Sequence, residues 1–168
     1  GVGNLEAEFE ALQAPFADRG PRADDALRAL RAALSGRVVS YTGDYYRFED
    51  LVIDPHAVQQ PVPILVGGFS PRALRRAVAL GDGWAPTPGQ FGGPTRPELA
   101  RLLGTVDLPA GFELVVGHEH ALDPLGEPGR VADVVGAWAE LGATRFLLSV
   151  THDSLEHYLD QLGAYAAL

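Results

Sequence analysis

The segment from Pro63 to Trp84 constrains the fold of this chain more than any other stretch of the sequence. Three apolar residues, Ile64 to Val66, precede two glycines, a phenylalanine, a serine and a proline, and a basic helical segment and Gly-Asp-Gly-Trp follow. Ser70 suits a helix N-cap, and Pro71 suits the first helical position, where its missing N–H group loses no hydrogen bond. A buried strand, a glycine turn, a capped helix and a second buried strand together predict one βαβ unit.

The glycine turn of this unit is also the first candidate binding site. Gly67 and Gly68 allow the backbone to approach a ligand closely, and free N–H groups at a helix start attract anions. The pattern therefore predicts a phosphate-bearing cofactor or substrate at the turn. Two glycines alone are also typical of an ordinary strand-to-helix connection, so that structural interpretation stays open.

The rest of the chain extends this unit into a repeating α/β pattern. From Ile64 onward, short apolar strands alternate with amphipathic helices in the order β-α-β-α-β-α-β-α, which predicts a parallel sheet. Four such units are half of an eight-stranded barrel, so the sequence predicts a partial TIM (β/α)8 barrel over residues 63–168. Residues 1–62 precede it as two helices and a β-hairpin insertion, within a single domain that covers residues 1–168.

Caps, breakers and periodicity set the expected bounds of the individual elements. We predict a first helix over residues 5–13, capped by Asn4, and a second over residues 22–34, after a break at Gly20-Pro21. The predicted strands are 38–41, 45–48, 64–66, 84–86, 112–116 and 145–150. The later helices are predicted over 71–80, 97–103, 128–141 and 154–167, the last of them capped by Asp153 or Ser154.

Composition narrows the possible classes of function. A formal net charge of −9 and a pI of about 4.9 make the chain a poor partner for nucleic acid or for an anionic membrane surface. The absence of cysteine excludes disulfides, thiolate nucleophiles and cysteine metal sites. No apolar stretch approaches the roughly 20 residues that span a bilayer, and no secretion signal is visible at the N-terminus. We therefore expect a cytoplasmic protein without nucleic-acid or membrane partners.

The start of the chain is unusual, because the sequence contains no methionine and opens on Gly1-Val2-Gly3. Since translation begins with methionine, we expect that one residue or a longer segment has been removed. Gly1-Val2-Gly3 is typical of a strand end that leads into a loop, which predicts a strand before it.

Several short motifs occur along the chain in a characteristic order. They are Gly1-Val2-Gly3 with Glu6, Glu8 and Phe9, an arginine-rich second helix, Gly43-Asp44-Tyr45-Tyr46, residues 63–70 and Gly81-Asp82-Gly83-Trp84. Together they resemble the luciferase-like monooxygenase family, particularly its deazaflavin-dependent branch, over essentially the whole chain. The resemblance implies a (β/α)8 barrel of roughly twice this length, which binds reduced flavin or deazaflavin at the carboxyl ends of its strands. It also implies that this chain corresponds to the part after the fourth strand.

The same resemblance implies a set of cofactor contacts. In the family, the Gly-Gly turn after the fifth strand offers its backbone amides to the cofactor phosphate, and the matching residues here are Gly67, Gly68, Phe69 and Ser70. Arg22 matches an arginine that often contacts the phosphate, with a solvated helix charge as the alternative. The implied cofactor is a deazaflavin coenzyme of the F420 type or FMN. The catalytic histidine of the family lies in its N-terminal half, so no residue of this chain inherits a catalytic role.

A substrate-facing loop is implied after the sixth strand of the barrel, at residues 87–90. Thr87 and Gln90 are candidate substrate-lining residues there, together with Trp84 at the strand end and His118 after a later strand. Core burial is the alternative for Trp84. Some relatives carry a lysine for a substrate phosphate where this chain has Gln90, so a phosphorylated substrate is not predicted.

Two histidine-containing segments allow other interpretations. In a strand, His118 and His120 would share one face, as in part of a zinc site, but no third ligand is evident, and no metal site is predicted. His152-Asp153-Ser154 contains the residue types of a hydrolytic triad. Because neighbours on one loop rarely align as a proton relay, a helix cap is the better interpretation.

The sequence leaves three functions open. The first is a flavin- or deazaflavin-dependent oxidoreductase or monooxygenase that acts on a small molecule, with its cofactor phosphate held by Gly67 and Gly68. The second is an incomplete, catalytically inactive half-barrel that acts as a structural, binding or self-associating protein. Its uncovered strand edges predict a homodimer or pairing with an N-terminal half-barrel. The third is a protein that binds phosphorylated ligands on the same scaffold without redox chemistry.

Overall fold

The structure is a computed structural model that describes residues 1–88 and 93–168. Two helices and a β-hairpin come first, and four βα repeats follow. The helices are α1 (Glu6–Ala11), α2 (Arg19–Ala33), α3 (Pro71–Leu80), α4 (Arg96–Leu103), α5 (Pro128–Glu140) and α6 (Leu155–Ala166). The strands are β1 (Val38–Thr42), β2 (Arg47–Val52), β3 (Leu65–Gly67), β4 (Gly83–Ala85), β5 (Glu113–Gly117) and β6 (Arg145–Leu147).

The last four strands form one parallel sheet, in which they lie in the order of the sequence. The register pairs Val66 of β3 with Trp84 of β4, and Trp84 in turn with Leu114 of β5. Sequential parallel strands, each followed by a helix, are the repeat of a (β/α)8 barrel, and four of them make half of one. The predicted α/β class and half-barrel arrangement are therefore confirmed.

The main core lies between this sheet and the helices that follow its strands. Trp84, Leu74 of α3 and Leu99 of α4 are completely buried there. Because side chains alternate between the two faces of a strand, the neighbours of the core residues point to the opposite face of the sheet. On that face, Leu65 of β3 and Leu147 of β6 are 39% and 64% exposed. The outermost strands thus carry uncovered apolar side chains.

The first two helices differ from their predicted starts. The N-cap of α1 is Leu5, without a side-chain cap bond, so the predicted cap at Asn4 is wrong. α2 begins at Arg19, and Pro21, which was expected to break the chain, lies in its first turn. The first N–H groups of a helix have no intrahelical partner, so a proline there removes no hydrogen bond.

The β-hairpin of β1 and β2 is attached to α2 by one buried carboxylate. Asp25 accepts hydrogen bonds from the backbone N–H groups of Tyr45, at 2.7 Å, and Tyr46, at 3.0 Å, and from the phenolic O–H of Tyr41. Because Asp25 takes these two amides, they are not available to a strand ladder, and β2 begins at Arg47 instead of the predicted position 45. The side chain of Tyr41 and the backbone of Tyr45 and Tyr46 thus attach the hairpin to α2.

Asp82 in the Gly-Asp-Gly-Trp motif fastens the start of the barrel sheet to α2. Its Oδ2 accepts from the backbone N–H of Ile64 and from Nη2 of Arg31, each at 2.7 Å. Burial alone would raise the pKa of Asp82, but these two donors outweigh it and hold the pKa below its ordinary value. The aspartate of this motif is therefore a structural connection between α2, β3 and β4.

The last strand is shorter than the sequence pattern indicates. β6 ends at Leu147, whereas the apolar run continues to Val150. The chain leaves β5 at that point, since β5 itself ends at Gly117, and Val150 pairs with Leu122 in an isolated parallel bridge. Among residues 1–88 and 93–168, no helix is both long and apolar enough to cross a membrane.

Candidate functional site

The turn predicted to bind phosphate lies where the carboxyl ends of the parallel strands meet. Because β3, β4 and β5 are parallel neighbours, the segments that follow them lie along one edge of the sheet. These segments are residues 67–70, the loop that starts at Pro86, and the segment that starts at His118. Ligands of parallel α/β folds bind at this edge. The candidate residues Gly67 to Ser70, Thr87 and His118 therefore share one end of the fold.

A left-handed glycine and a serine cap shape the turn. Gly68 has φ 97°, a conformation that residues with a side chain rarely adopt, and a Cβ there would lie 3.2 Å from Cβ of Ala73. The N–H of Ala73 donates to Oγ of Ser70 at 3.1 Å, and Pro71 opens α3. The predicted N-cap at Ser70 and first helical position at Pro71 are confirmed.

The turn presents backbone donors that have no acceptor within the described residues. The backbone N–H groups of Phe69, Ser70 and Arg72 donate to no group among residues 1–88 and 93–168. All three lie at the start of α3, where the helix dipole is positive. Unpartnered N–H groups in this position can donate to an anionic group.

Trp84 orients the turn from the neighbouring strand. Its indole N–H donates to the carbonyl oxygen of Gly68 at 2.7 Å, and the side chain is completely buried. A buried indole N–H requires an acceptor, and here that acceptor is the residue with positive φ. Because the side chain of Trp84 has no exposed surface, a substrate cannot contact it. The expected substrate-lining role of Trp84 is therefore replaced by a role in holding the turn.

Arg22 is drawn toward the hairpin and not toward the turn. Its Nη2 donates to Oδ2 of Asp18 at 2.8 Å, and its guanidinium lies 4.6 Å from the ring centroid of Tyr45. Its hydrogen bond to Asp18 and the negative charge of that carboxylate keep the pKa of Arg22 above its ordinary value, although burial opposes them. The contacts recorded for Arg22 support the interpretation of a structural helix charge.

The loop after β4 and the segment after β5 enclose a cavity of about 210 Å³. Pro88 and His118 line it together with Trp138 of α5, while the preceding residue Thr87 is half-buried. Gln90, the other predicted substrate-lining residue, lies outside the described residues. The cavity thus occupies the edge at which a substrate was expected, beside the segment that carries His118.

His118 lies half-buried at this cavity. Burial lowers the pKa of its imidazole, and the nearby carboxylate of Glu119 only partly opposes this effect. A neutral imidazole carries one donor and one acceptor, which suits contact with a polar uncharged group. The rings of His118 and His120 lie 6.1 Å apart, and no group of three or more metal-binding side chains occurs within the part of the chain that the structure describes.

The His152-Asp153-Ser154 segment does not form a proton relay. Nδ1 of His152 lies 3.0 Å from the carbonyl oxygen of Val150, and Asp153 bonds instead to Nδ1 of His157 at 3.0 Å. Oγ of Ser154 accepts from the N–H of His157 at 3.1 Å and caps α6. The helix-cap interpretation is confirmed at Ser154.

Sequence reasoning missed Arg72, the only charged side chain in the first turn of α3. It is exposed and immediately follows the turn, and its backbone N–H is one of the three unpartnered donors. The spacing of Arg72, Arg75 and Arg76 places them on one face of α3, a signal that was present in the sequence.

Comparison with known proteins identifies the family. The luciferase-like monooxygenase family matches residues 1–101. The chain belongs to this family. An uncharacterised protein of Mycobacterium tuberculosis is 38% identical over 99 residues, which are 59% of this chain and 32% of that protein. The resemblance inferred from the short motifs is thereby confirmed.

Two relatives in the family have named activities. An FMNH2-dependent dimethylsulfone monooxygenase of Pseudomonas putida is 32% identical over 90 residues, covering 52% of this chain and 25% of that enzyme. An F420-dependent glucose-6-phosphate dehydrogenase of Beutenbergia cavernae is 29% identical over 153 residues, covering 86% of this chain and 45% of that enzyme. The chain thus spans less than half the length of these curated relatives.

Solved structures share the fold. An F420-dependent secondary alcohol dehydrogenase in complex with an F420-acetone adduct superposes with a TM-score of 0.59 at 14% identity, over 89% of this chain and 63% of that one. The monooxygenase RslO1 from Streptomyces bottropensis superposes with a TM-score of 0.68 at 18% identity, over 98% of this chain and 65% of that one. The four βα repeats are therefore arranged as in luciferase-like barrels.

Proposed function

We propose that this chain provides the phosphate-binding part of a flavin- or deazaflavin-dependent oxidoreductase. The observation that carries the proposal is the set of unpartnered N–H groups of Phe69, Ser70 and Arg72, at the carboxyl end of a parallel sheet. Membership of a family with FMNH2- and F420-dependent relatives supports the choice of cofactor class.

The residues present fit a cofactor phosphate. The cradle is lined by glycine, and a Cβ on Gly68 would fill it in part. Phosphate carries several acceptor oxygens, which match the three free donors. No acidic side chain occurs between Pro63 and Leu80 to repel the phosphate.

The residues of this chain would bind and orient, while the cofactor supplies the redox chemistry when bound. The turn would hold the phosphate, Trp84 would keep the carbonyl of Gly68 turned away from it, and the cavity beside His118 would receive a small organic substrate. The neutral imidazole of His118 would donate or accept a hydrogen bond there. The turn and the cavity would thus hold the cofactor and the substrate in a fixed relative position at one edge of the sheet.

Anaerobic titration with reduced FMN, reduced F420 and reduced riboflavin tests the proposal. Riboflavin lacks the phosphate, so FMN should bind at least about tenfold more tightly if charge-assisted bonds at the turn contribute. Trp84→Phe removes the bond to Gly68 and should reduce this preference for FMN. Phe112→Leu is the matched control, because that ring packs against the same core just before β5, at the opposite end of the sheet from the turn, and should leave the preference intact.

Equal affinity for FMN and riboflavin, or no binding of any of the three, would refute phosphate anchoring at the turn. Binding of FMN without oxidation of the reduced cofactor by candidate substrates, and without a rate in oxygen above that of the free reduced cofactor, would favour the third function, phosphate-ligand binding without redox chemistry.

The second function, a self-associating half-barrel, is favoured by a different observation. The parallel sheet has two outer strands, β3 and β6, with exposed leucines at 39% and 64%. Under this proposal, a second copy of the chain or an N-terminal half-barrel would cover these edges.

A further inference from the structure

A basic cleft lies between α2 and α3, on the outer side of the helices that flank β3. It has a volume of about 410 Å³ and extends from Gly20 to Leu80. Four arginine side chains and one aspartate give it a formal charge of +3, within a chain of net charge −9. The charged residues of this arginine cleft are Asp24, Arg28, Arg72, Arg75 and Arg76.

Helical spacing places these charges on two facing surfaces. Arg72, Arg75 and Arg76 lie at positions i, i+3 and i+4 of α3, so they share one face of that helix. Asp24 and Arg28 lie four residues apart on the facing side of α2. Arg76 is ion-paired with Asp24 and donates to the carbonyl oxygen of Gly20 at 3.3 Å. This pair joins the two helices at the cleft.

The other three arginines of the cleft form no ion pair within the described residues, although Arg28 lies near enough to Asp25 to lower the pKa of its carboxyl. Arg28, Arg72 and Arg75 are all exposed. Asp25 lies three residues before Arg28, and its carboxylate already accepts hydrogen bonds from Tyr41, Tyr45 and Tyr46. Like charges three and four residues apart destabilise a helix. A bound anion would remove this repulsion.

We propose that the arginine cleft binds a small polyanion that carries two or three phosphate or carboxylate groups in an extended chain. Adjacent turns of α3 are about 5 Å apart along the helix axis, so one compact molecule with two or three anionic groups can reach arginines on both turns. The volume lies within the range of small-molecule sites. Arginine binds both phosphate and carboxylate through paired N–H groups. The net charge of −9 opposes a long nucleic acid, and the site does not depend on the cofactor proposal.

Calorimetric titration of the intact protein at low ionic strength, with tripolyphosphate and separately with citrate, tests this inference. We expect saturable binding with one site, and the tighter of the two probes identifies the anionic group. Arg28→Ala and Arg75→Ala should each weaken binding roughly fivefold or more, and added salt should weaken it further. Both side chains are exposed, so the variants are expected to fold, which circular dichroism would verify.

Arg47→Ala is the matched control, because Arg47 is exposed on β2 and lies outside the cleft. Its affinity for the probes should equal that of the unaltered protein. An equal loss in Arg47→Ala and Arg75→Ala would overturn the inference, since it would indicate general charge attraction. Undetectable binding of both probes, equal affinity for orthophosphate and tripolyphosphate, or tighter binding of an oligonucleotide than of either probe would each overturn it as well.

Discussion

Asp25 connects α2 to the hairpin through three hydrogen bonds, although it is a charged residue that is only 5% exposed. The bond from Tyr41 and the backbone bonds from Tyr45 and Tyr46 hold the pKa of Asp25 below its ordinary value, against the opposing effect of burial. The same bond raises the pKa of the Tyr41 phenol. A side chain on Gly43 would overlap the carboxylate, so glycine is required there.

The lowered pKa of Asp25 predicts a loss of stability in acid. A group whose pKa is depressed in the folded state stabilises it fully above the unfolded pKa, near 3.8, and loses this contribution as the pH falls through the folded value. We expect Asp25→Asn to lower the melting temperature at neutral pH by about 2–4 °C or more and to flatten the decline of stability in acid. Thermal unfolding at about pH 7 measures the first effect, and urea unfolding between about pH 6 and pH 2 measures the second.

Asp107→Asn serves as the control for this prediction, because Asp107 is exposed on a loop. It should leave the pH dependence of unfolding unchanged. If Asp25→Asn retained the full acid-dependent loss of stability, other carboxylates would be responsible for it.

The element that the sequence predicted best is α3, whose observed bounds are the predicted ones, residues 71–80. Its signals are local: Ser70 caps it, Pro71 opens it and Gly81 follows it. Each strand differs from its predicted bounds by a residue or more at one end or both, because strand ends depend on the ladder with the neighbouring strand and not on their own composition. The start of β2 moved because Asp25, twenty residues earlier in the chain, accepts the amide of Tyr45.

A glycine in the turn after β3 and a glycine within α5 should respond oppositely to the same substitution. Gly68→Ala places a side chain at φ 97°, with its Cβ 3.2 Å from Cβ of Ala73. It should lower the free energy of unfolding by about 1–3 kcal/mol and weaken FMN binding. Gly136→Ala lies within α5, where a Cβ meets nothing within 4 Å, and should raise the free energy of unfolding by about 0.5–1 kcal/mol.

Urea unfolding and FMN titration of both glycine variants check this pair of predictions. Gly136→Ala also controls for any general effect of an added methyl group, since it should leave FMN affinity unchanged. A neutral or stabilising effect of Gly68→Ala would contradict the strained conformation assigned to the turn.

The whole molecule presents a parallel sheet with uncovered outer strands. β3 is flanked by Gly1 and Val2 across a cavity of about 160 Å³, and no further strand pairs with β6 among residues 1–88 and 93–168. Unpaired N–H and C=O groups at a sheet edge are templates for another chain, and exposed apolar side chains favour association. We therefore expect the chain to associate when it is alone in solution.

Sedimentation velocity at several concentrations tests this expectation. The sedimentation coefficient should rise with concentration toward that of a dimer, and Leu147→Glu, which adds a charge on the exposed face of β6, should shift the equilibrium toward monomer. Glu140→Gln, at the end of α5, is a control away from that edge. A strictly monomeric, folded chain at all concentrations would contradict the expected pairing of edges.

The sequence by itself determined the βαβ repeat, the cap of α3, the glycine turn and the family, because each depends on residues that are close together along the chain. The tertiary structure decided which of the candidate residues meet. In the folded chain, the indole N–H of Trp84 donates to the carbonyl of Gly68, and the guanidinium of Arg22 lies over the ring of Tyr45. Arg28 of α2 lies beside the arginines of α3. Contacts between residues tens of positions apart depend on how helices pack on a sheet, and local patterns carry no measure of that packing.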